Sequence, residues 1–311
     1  MLVILILVSG CQNPDKLANG LSIASANSLE LIESLAVPLP ASDQVVGGKL
    51  LGPDSVAYWT TSSVRILTNK LRTRSTLCGG LLDSPRAVAH GNGGAHVEIL
   101  DKRGIVVAHP GGHCVRRNLH GGGQSISSGT RTTSGWVWIQ TDPNGATSIV
   151  SESAAHSSAL PDPFKIDDRD STLNTLLLSS SGEGFAITLS QHPFTWAVFL
   201  RDSMIGRGTL PPDILNSNSS QLANPRPFPP PLWIATGLVD IGAGFLQVIA
   251  DLRSDRRMLF LFNADGSFVR AMPLDFPFGV LDSDPDRRRI LAIRRPDSLE
   301  LVVYSWDWQA R

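Results

Sequence analysis

The sequence predicts an all-β chain folded as a β-propeller, on three observations. Beyond residue 28, short strand-like runs are broken by Gly, Pro, Asp and Asn, with no helical 3.6-residue pattern of any length. Near the end, "GFLQVIAD" from Gly244 is followed by "MLFLFNADGSFVRAMPL" from Met258. The two return as "RRILAIRR" from Arg288 and "LELVVYSWDW" from Leu299, spacings of about 44 and about 41 residues. A period in the forties with four strands per unit is that of propeller blades. Finally, only five residues follow Trp306, too few for the outermost strand of a last blade, while "LELIESLAVPL" (Leu29–Leu39) stands unclaimed before the first blade. That early strand is expected to complete the last blade and close the ring, removing an open edge. The remaining length, about 270 residues, suits six four-stranded blades of about 44, with five or seven left open by the degenerate repeats.

Composition agrees. Of 311 residues, 42% are apolar and 18% charged, enough for a large core and too ordinary for disorder or a multi-span membrane protein. A net charge of −1 provides no field to attract nucleic acid, so no nucleic-acid partner is expected. In chain order, strands are expected at Ser55–Trp59, Val64–Thr68, Val97–Leu100, Ile105–Ala108, Trp136–Gln140, Leu176–Ser179 and Phe185–Leu189. Further strands are expected at Trp196–Leu200, Phe245–Ala250, Met258–Phe262, Ser267–Met272, Arg289–Ile293 and Leu299–Trp306. The hairpins "LFNADGSFV", "ILDKRGIVV" and "TDPNGATSIV" each place a Gly after polar residues, where a tight turn calls for positive φ. Residues 209–232, "TLPPDILNSNSSQLANPRPFPPPL", break the rhythm. Their Pro content describes a semi-rigid loop, expected over one mouth of the ring. The propeller domain is thus read as residues 29–311.

"DPDRRRILAI" (Asp284–Ile293) resembles the recurrent "SPDGxxIAF" segment of bacterial six-bladed propellers of the NHL and Tol-associated kinds. The resemblance is clear over the last 70 residues and implies the fold alone. At the other end, Leu2–Val8 is seven apolar residues, far short of the roughly 20 needed for a spanning helix. It ends in small residues, as an export signal does. Val8-Ser9-Gly10-Cys11 resembles the lipobox of bacterial lipoproteins: an aliphatic residue, two small ones, then Cys. That resemblance implies a signal peptide at 1–10, its basic start cut short, cleavage before Cys11, and lipidation of the Cys11 thiol. Residues 11–28 then become a lipidated tether. Several acyl chains on one Cys hold a protein on a membrane stably. Gln12 rather than Asp follows the Cys, which implies the outer membrane in a diderm host. Of three cysteines, Cys78 and Cys114 then remain, either as a disulfide in an oxidising compartment or as two free thiols.

Few groupings carry chemistry. His109, His113 and His120, with Cys114 among them, are the densest set of metal-ligating types, but no CxxC or HExxH frame accompanies them. "HGGGQS" at 120–125 imitates an oxyanion-hole loop, yet no GxSxG elbow exists to serve it. Asp282, Asp284 and Asp286 alternate like a calcium loop but lack its Gly and Glu, and read as a turn between strands. Asp167, Asp168 and Asp170 form another polar connection, a possible source of one ligand to a metal in the central channel. Most of the seven Trp suit blade packing, and Trp233, just after the Pro-rich loop, is expected to be the exposed one. Arg253, Arg256 and Arg257, with Arg287 and Arg288, are candidates for a basic rim contacting an anionic partner. The expected function is a non-catalytic binding or scaffolding module of the cell envelope, tethered to the membrane and holding another envelope protein or a small ligand, with no cofactor. The alternative is a propeller hydrolase or lactonase with a divalent metal in the channel.

Overall fold

The computed structural model describes residues 28–40, 42–68, 73–91, 94, 96–119, 124–153, 156–161, 163–164, 176–190, 194–211, 233–251, 256–274, 278–294 and 299–309. The chain enters as β1 (Ser28–Pro38). Blade 1 follows as β2 (Gly47–Leu50), β3 (Val56–Trp59), β4 (Val64–Thr68) and β5 (Thr73–Leu77). Blade 2 is β6 (Ala87–His90), β7 (Val97–Leu100), β8 (Gly104–Ala108) and β9 (Cys114–Asn118). Blade 3 is β10 (Ser125–Arg131), β11 (Trp136–Thr141), β12 (Thr147–Ser153) and β13 (His156–Leu160). Blade 4 is β14 (Leu176–Ser181), β15 (Gly184–Leu189), β16 (Thr195–Leu200) and β17 (Ser203–Thr209). Blade 5 is β18 (Trp233–Asp240), β19 (Gly244–Asp251), β20 (Arg257–Asn263) and β21 (Phe268–Leu274). Blade 6 is β22 (Phe278–Asp284), β23 (Arg289–Arg294) and β24 (Glu300–Gln309), completed by β1.

Each blade is an antiparallel meander, and the first strands β2, β6, β10, β14, β18 and β22 touch in a closed circle around the axis. This is a six-bladed β-propeller. The expected closure is present: β1 runs antiparallel to β24 from Ser28↔Gln309 to Pro38↔Glu300, with a bulge between Glu33 and Leu35. Arg294 fastens it further, donating to Glu33 on β1 and to Glu300, each at 2.6 Å.

The middle strands of a blade are sandwiched between neighbouring blades, so both faces must be apolar. Every residue of β15 and of β19 is buried accordingly. Outer strands meet water, and β9 and β17 are largely exposed. The hairpins with Gly prove not to be equivalent. "LFNADGSFV" joins the third and fourth strands of blade 5, whereas "ILDKRGIVV" and "TDPNGATSIV" join second and third strands. Gly266 has φ +82°, as the turn requires. Gly104 is needed for another reason: a Cβ there would lie 2.4 Å from the carbonyl oxygen of Arg117. Beside it, fully buried Asp101 accepts from the backbone N–H groups of Asp83, Arg103 and Gly104, and from Arg116 at 2.6 and 2.8 Å.

Cys78, just past β5, and Cys114, at the start of β9 and 36 positions further on, form a disulfide that staples blade 1 to blade 2. Of the two possibilities open to these thiols, the bridge is the one realised.

Candidate functional site

A meander fixes which connections share a face. Turns from first to second and from third to fourth strands lie on one face of the disc. Turns from second to third strands, and the connections between blades, lie on the other. The Pro-rich stretch joins the end of β17 to the start of β18 and so leaves and returns on the second face. Its residues 212–232 lie outside the described ones.

This rule separates the two arginine clusters. Arg256 and Arg257 follow the connection from β19 to β20, while Arg287 and Arg288 lie in the turn from β22 to β23. They occupy opposite faces, so the expected continuous basic rim does not form. The charges are also engaged: Arg287 pairs with Asp284 at 2.9 Å, Arg288 with Asp307 at 3.1 Å, and neither Arg256 nor Arg257 is free. Arg253 lies outside the described residues. Trp233 is not exposed. It retains 7% of its surface, packs with Phe194 and Trp196 between blades 4 and 5, and is capped by the Arg256 guanidinium 5.6 Å from its ring centre. A strand that opens a blade at the axis puts a large ring between its neighbours, whatever loop precedes it.

The histidines gather without converging. His109 and His113 bracket the turn from β8 to β9 with ring centres 6.1 Å apart, and His96 lies 5.8 Å from His109. Cys114 is consumed by its disulfide. Among the described residues no group of three or more His, Cys, Asp or Glu is placed to hold a metal. His120, the loop at 120–123, Asp167, Asp168, Asp170 and Cys11 lie outside the described residues.

Among the described residues, polar groups gather at the axial channel, where they line a cavity of about 70 Å³. All six inner strands contribute to its wall. Lys49 on β2 and Asp282 on β22 meet there at 2.8 Å, and the backbone N–H of Leu50 donates to the other Asp282 oxygen at 2.8 Å. Thr130, Arg131, Ser179 and Ser180 line the opposite side, with Leu178, Leu238 and Leu281 between. Arg131 is held from behind by Glu98 at 3.2 Å. That carboxylate also accepts from the Trp136 indole at 2.6 Å and contacts His96 at 3.2 Å. Asp282 is therefore an inner-strand residue rather than part of a turn; the turn begins only after Asp284. A bulge between Val280 and Asp282 aims it at the axis. Lys49 and Asp282 form the closing contact between the first and last blades at the axis. Arg289 extends it, donating to the carbonyls of Gly52 and Pro53 at 2.8 and 2.7 Å.

Burial pushes the Asp282 carboxyl above its ordinary range, against the pull of Lys49 and the Leu50 N–H. A carboxyl whose folded pKa is raised stabilises the fold below its unfolded value, near 3.8, and loses that contribution as pH rises through the folded value. Asp284 has the opposite sense. Burial opposes it, but hydrogen bonds from Arg289 and Arg287 hold its pKa down, so its contribution is lost on acidification. Asp282→Asn is accordingly expected to gain stability relative to the wild type as pH rises above about 4. Urea unfolding at a series of pH values measures this, and a pH-independent difference would contradict it.

The fold and the channel define a six-bladed β-propeller with a polar axial cavity. No protein-family model matches the chain, and neither does any curated protein sequence. Solved structures do resemble it. The calcium-binding protein regucalcin from Agrobacterium tumefaciens matches at 11% identity and TM-score 0.51, over 88% of this chain and 95% of that one. A gluconolactonase from Xanthomonas campestris matches at 14% identity and TM-score 0.50, over 91% and 92%. A chain of the mitotic checkpoint complex matches at 11% identity and TM-score 0.52, over 91% and 94%. Identities this low establish the shared fold alone.

Proposed function

We propose that this propeller is a membrane-tethered, extracytoplasmic lipoprotein that binds or scaffolds rather than catalyses, anchored through lipid on Cys11 in the cell envelope. The observation that carries the non-catalytic reading is the state of the axis. Asp282 is the only carboxylate on the described channel wall, and it is already matched by Lys49, with Arg131 opposite. A divalent cation needs several oxygen ligands without competing cations. Of the similar structures, one is a calcium-binding protein, one a gluconolactonase and one belongs to a protein assembly. At their level of identity the residues of this channel decide among them, and they favour binding.

The tether has a defined exit. Ser28 pairs with Gln309, at the end of blade 6 that carries the turns from first to second strands. A membrane anchor joined there turns that face toward the bilayer. The opposite face, which bears the connection at 209–232, then points away and is available to a partner.

Cys11→Ser is expected to move the protein from the membrane fraction to the soluble one and to abolish palmitate labelling. Continued labelling would refute the anchor. A stoichiometric divalent ion in the purified protein would refute the non-catalytic reading and revive the metal-dependent hydrolase.

A further inference from the structure

We infer that the axial channel is a binding site for a small organic carboxylate, with Lys49 as the anchoring cation. This rests on reading the channel as a binding site, and it names the ligand class. The channel wall has more donors than acceptors. The Lys49 ammonium carries three N–H bonds and spends one on Asp282. Ser179 and Ser180 add hydroxyls to the same wall. Asp282 is the one charged acceptor facing these groups, and the Leu50 N–H already occupies its second oxygen.

A carboxylate supplies what is missing. It is acceptor-only, its two oxygens take about four hydrogen bonds, and it complements an ammonium and a hydroxyl together. Leu178, Leu238 and Leu281 offer an apolar wall to a short carbon tail. A cavity of about 70 Å³ limits the ligand to an acid of a few heavy atoms, the size of acetate. A cation is disfavoured in the same space by Lys49 and Arg131.

The sign of one substitution tests the idea. Asp282 competes with an incoming carboxylate for Lys49. In Asp282→Asn that charge is gone, while the amide oxygen still accepts from Leu50. The full-length chain is titrated with sodium acetate by calorimetry, against sodium chloride at matched ionic strength. One saturable site is expected, tightened at least about fivefold by Asp282→Asn. Lys49→Met should abolish it. Ser180→Val, which leaves the ion pair intact, should weaken it about threefold or more and serves if Lys49→Met fails to fold. Thermal unfolding of each variant establishes that it is folded. No saturable heat, or weaker binding in Asp282→Asn, overturns the inference. So does a calcium-dependent heat that Asp282→Asn abolishes. None of these bears on the tether, which the fractionation of Cys11→Ser decides separately.

Discussion

A chain lacking residues 1–38 is expected not to fold to a stable ring. Removing β1 strips blade 6 of its outer strand and leaves β24 as a bare ten-residue edge. Leu31 and Ala36 no longer cover the cluster of Val302, Tyr304 and Trp306. Leu35 and Val37 no longer cover Leu301 and Val303. Four partly buried aliphatic side chains together contribute about 4 kcal/mol or more by area. The lost ladder, the Ser34 hydroxyl bond to the Val303 carbonyl and the Arg294–Glu33 pair add to that. The sum approaches the whole net stability of an ordinary domain, about 5–15 kcal/mol. Circular dichroism and urea unfolding check this directly. A truncated chain with the wild-type midpoint would show that the ring closes without β1. Recovery of the native signal on adding a synthetic peptide of residues 28–38 would show the strand acting as a separable clasp.

The second large effect belongs to the disulfide. Closing a loop of 36 residues removes enough unfolded-chain entropy to stabilise the fold by about 4 kcal/mol in the chain-entropy treatment. The double variant Cys78→Ala/Cys114→Ala should lose stability of that order. A reductant should lower the urea midpoint of the wild type and leave the double variant unmoved. Equal sensitivity in both, or none in either, would mean that the bridge does not stabilise the native ring. The two contacts act on different seams: the disulfide binds blade 1 to blade 2, and β1 binds the two ends of the chain within blade 6.

How much of this was legible follows from where each strand sits. The middle strands of the blades announced themselves, because burial between two blades demands an unbroken apolar run. Phe245–Ala250 and Met258–Phe262 lie within the observed β19 and β20, and the 44-residue recurrence is that of second strands, β19 and β23. Of the inner strands only β14 did, through Leu176–Leu178. "GGKL" and "AVAH" are four residues of small side chains, and "SISSGTR" is mostly small and polar, so no period marks them. Outer strands such as "SMIGRGT" are masked in the same way by their exposure to water. The site was lost with the inner strands. Asp282 looked like one of three alternating turn aspartates, and nothing near Lys49 suggested that it faces a residue 233 positions away. One faint signal was available: lysine is scarce in this chain, and Lys49 stands in a Gly-flanked apolar stretch where no surface charge is needed.

What the sequence determined by itself was the repeat, the four-stranded unit and the use of an N-terminal strand to finish the last blade. These are properties of pattern and length, readable along one chain. Only the tertiary structure decided which residues share the axis, that the arginine clusters lie on opposite faces, and that Trp233 is buried. Each of those depends on bringing residues from separate blades into register. The closing strand could be counted from the chain, but the side chains that meet at the axis, such as Lys49 and Asp282, come from opposite ends of it and leave no local mark.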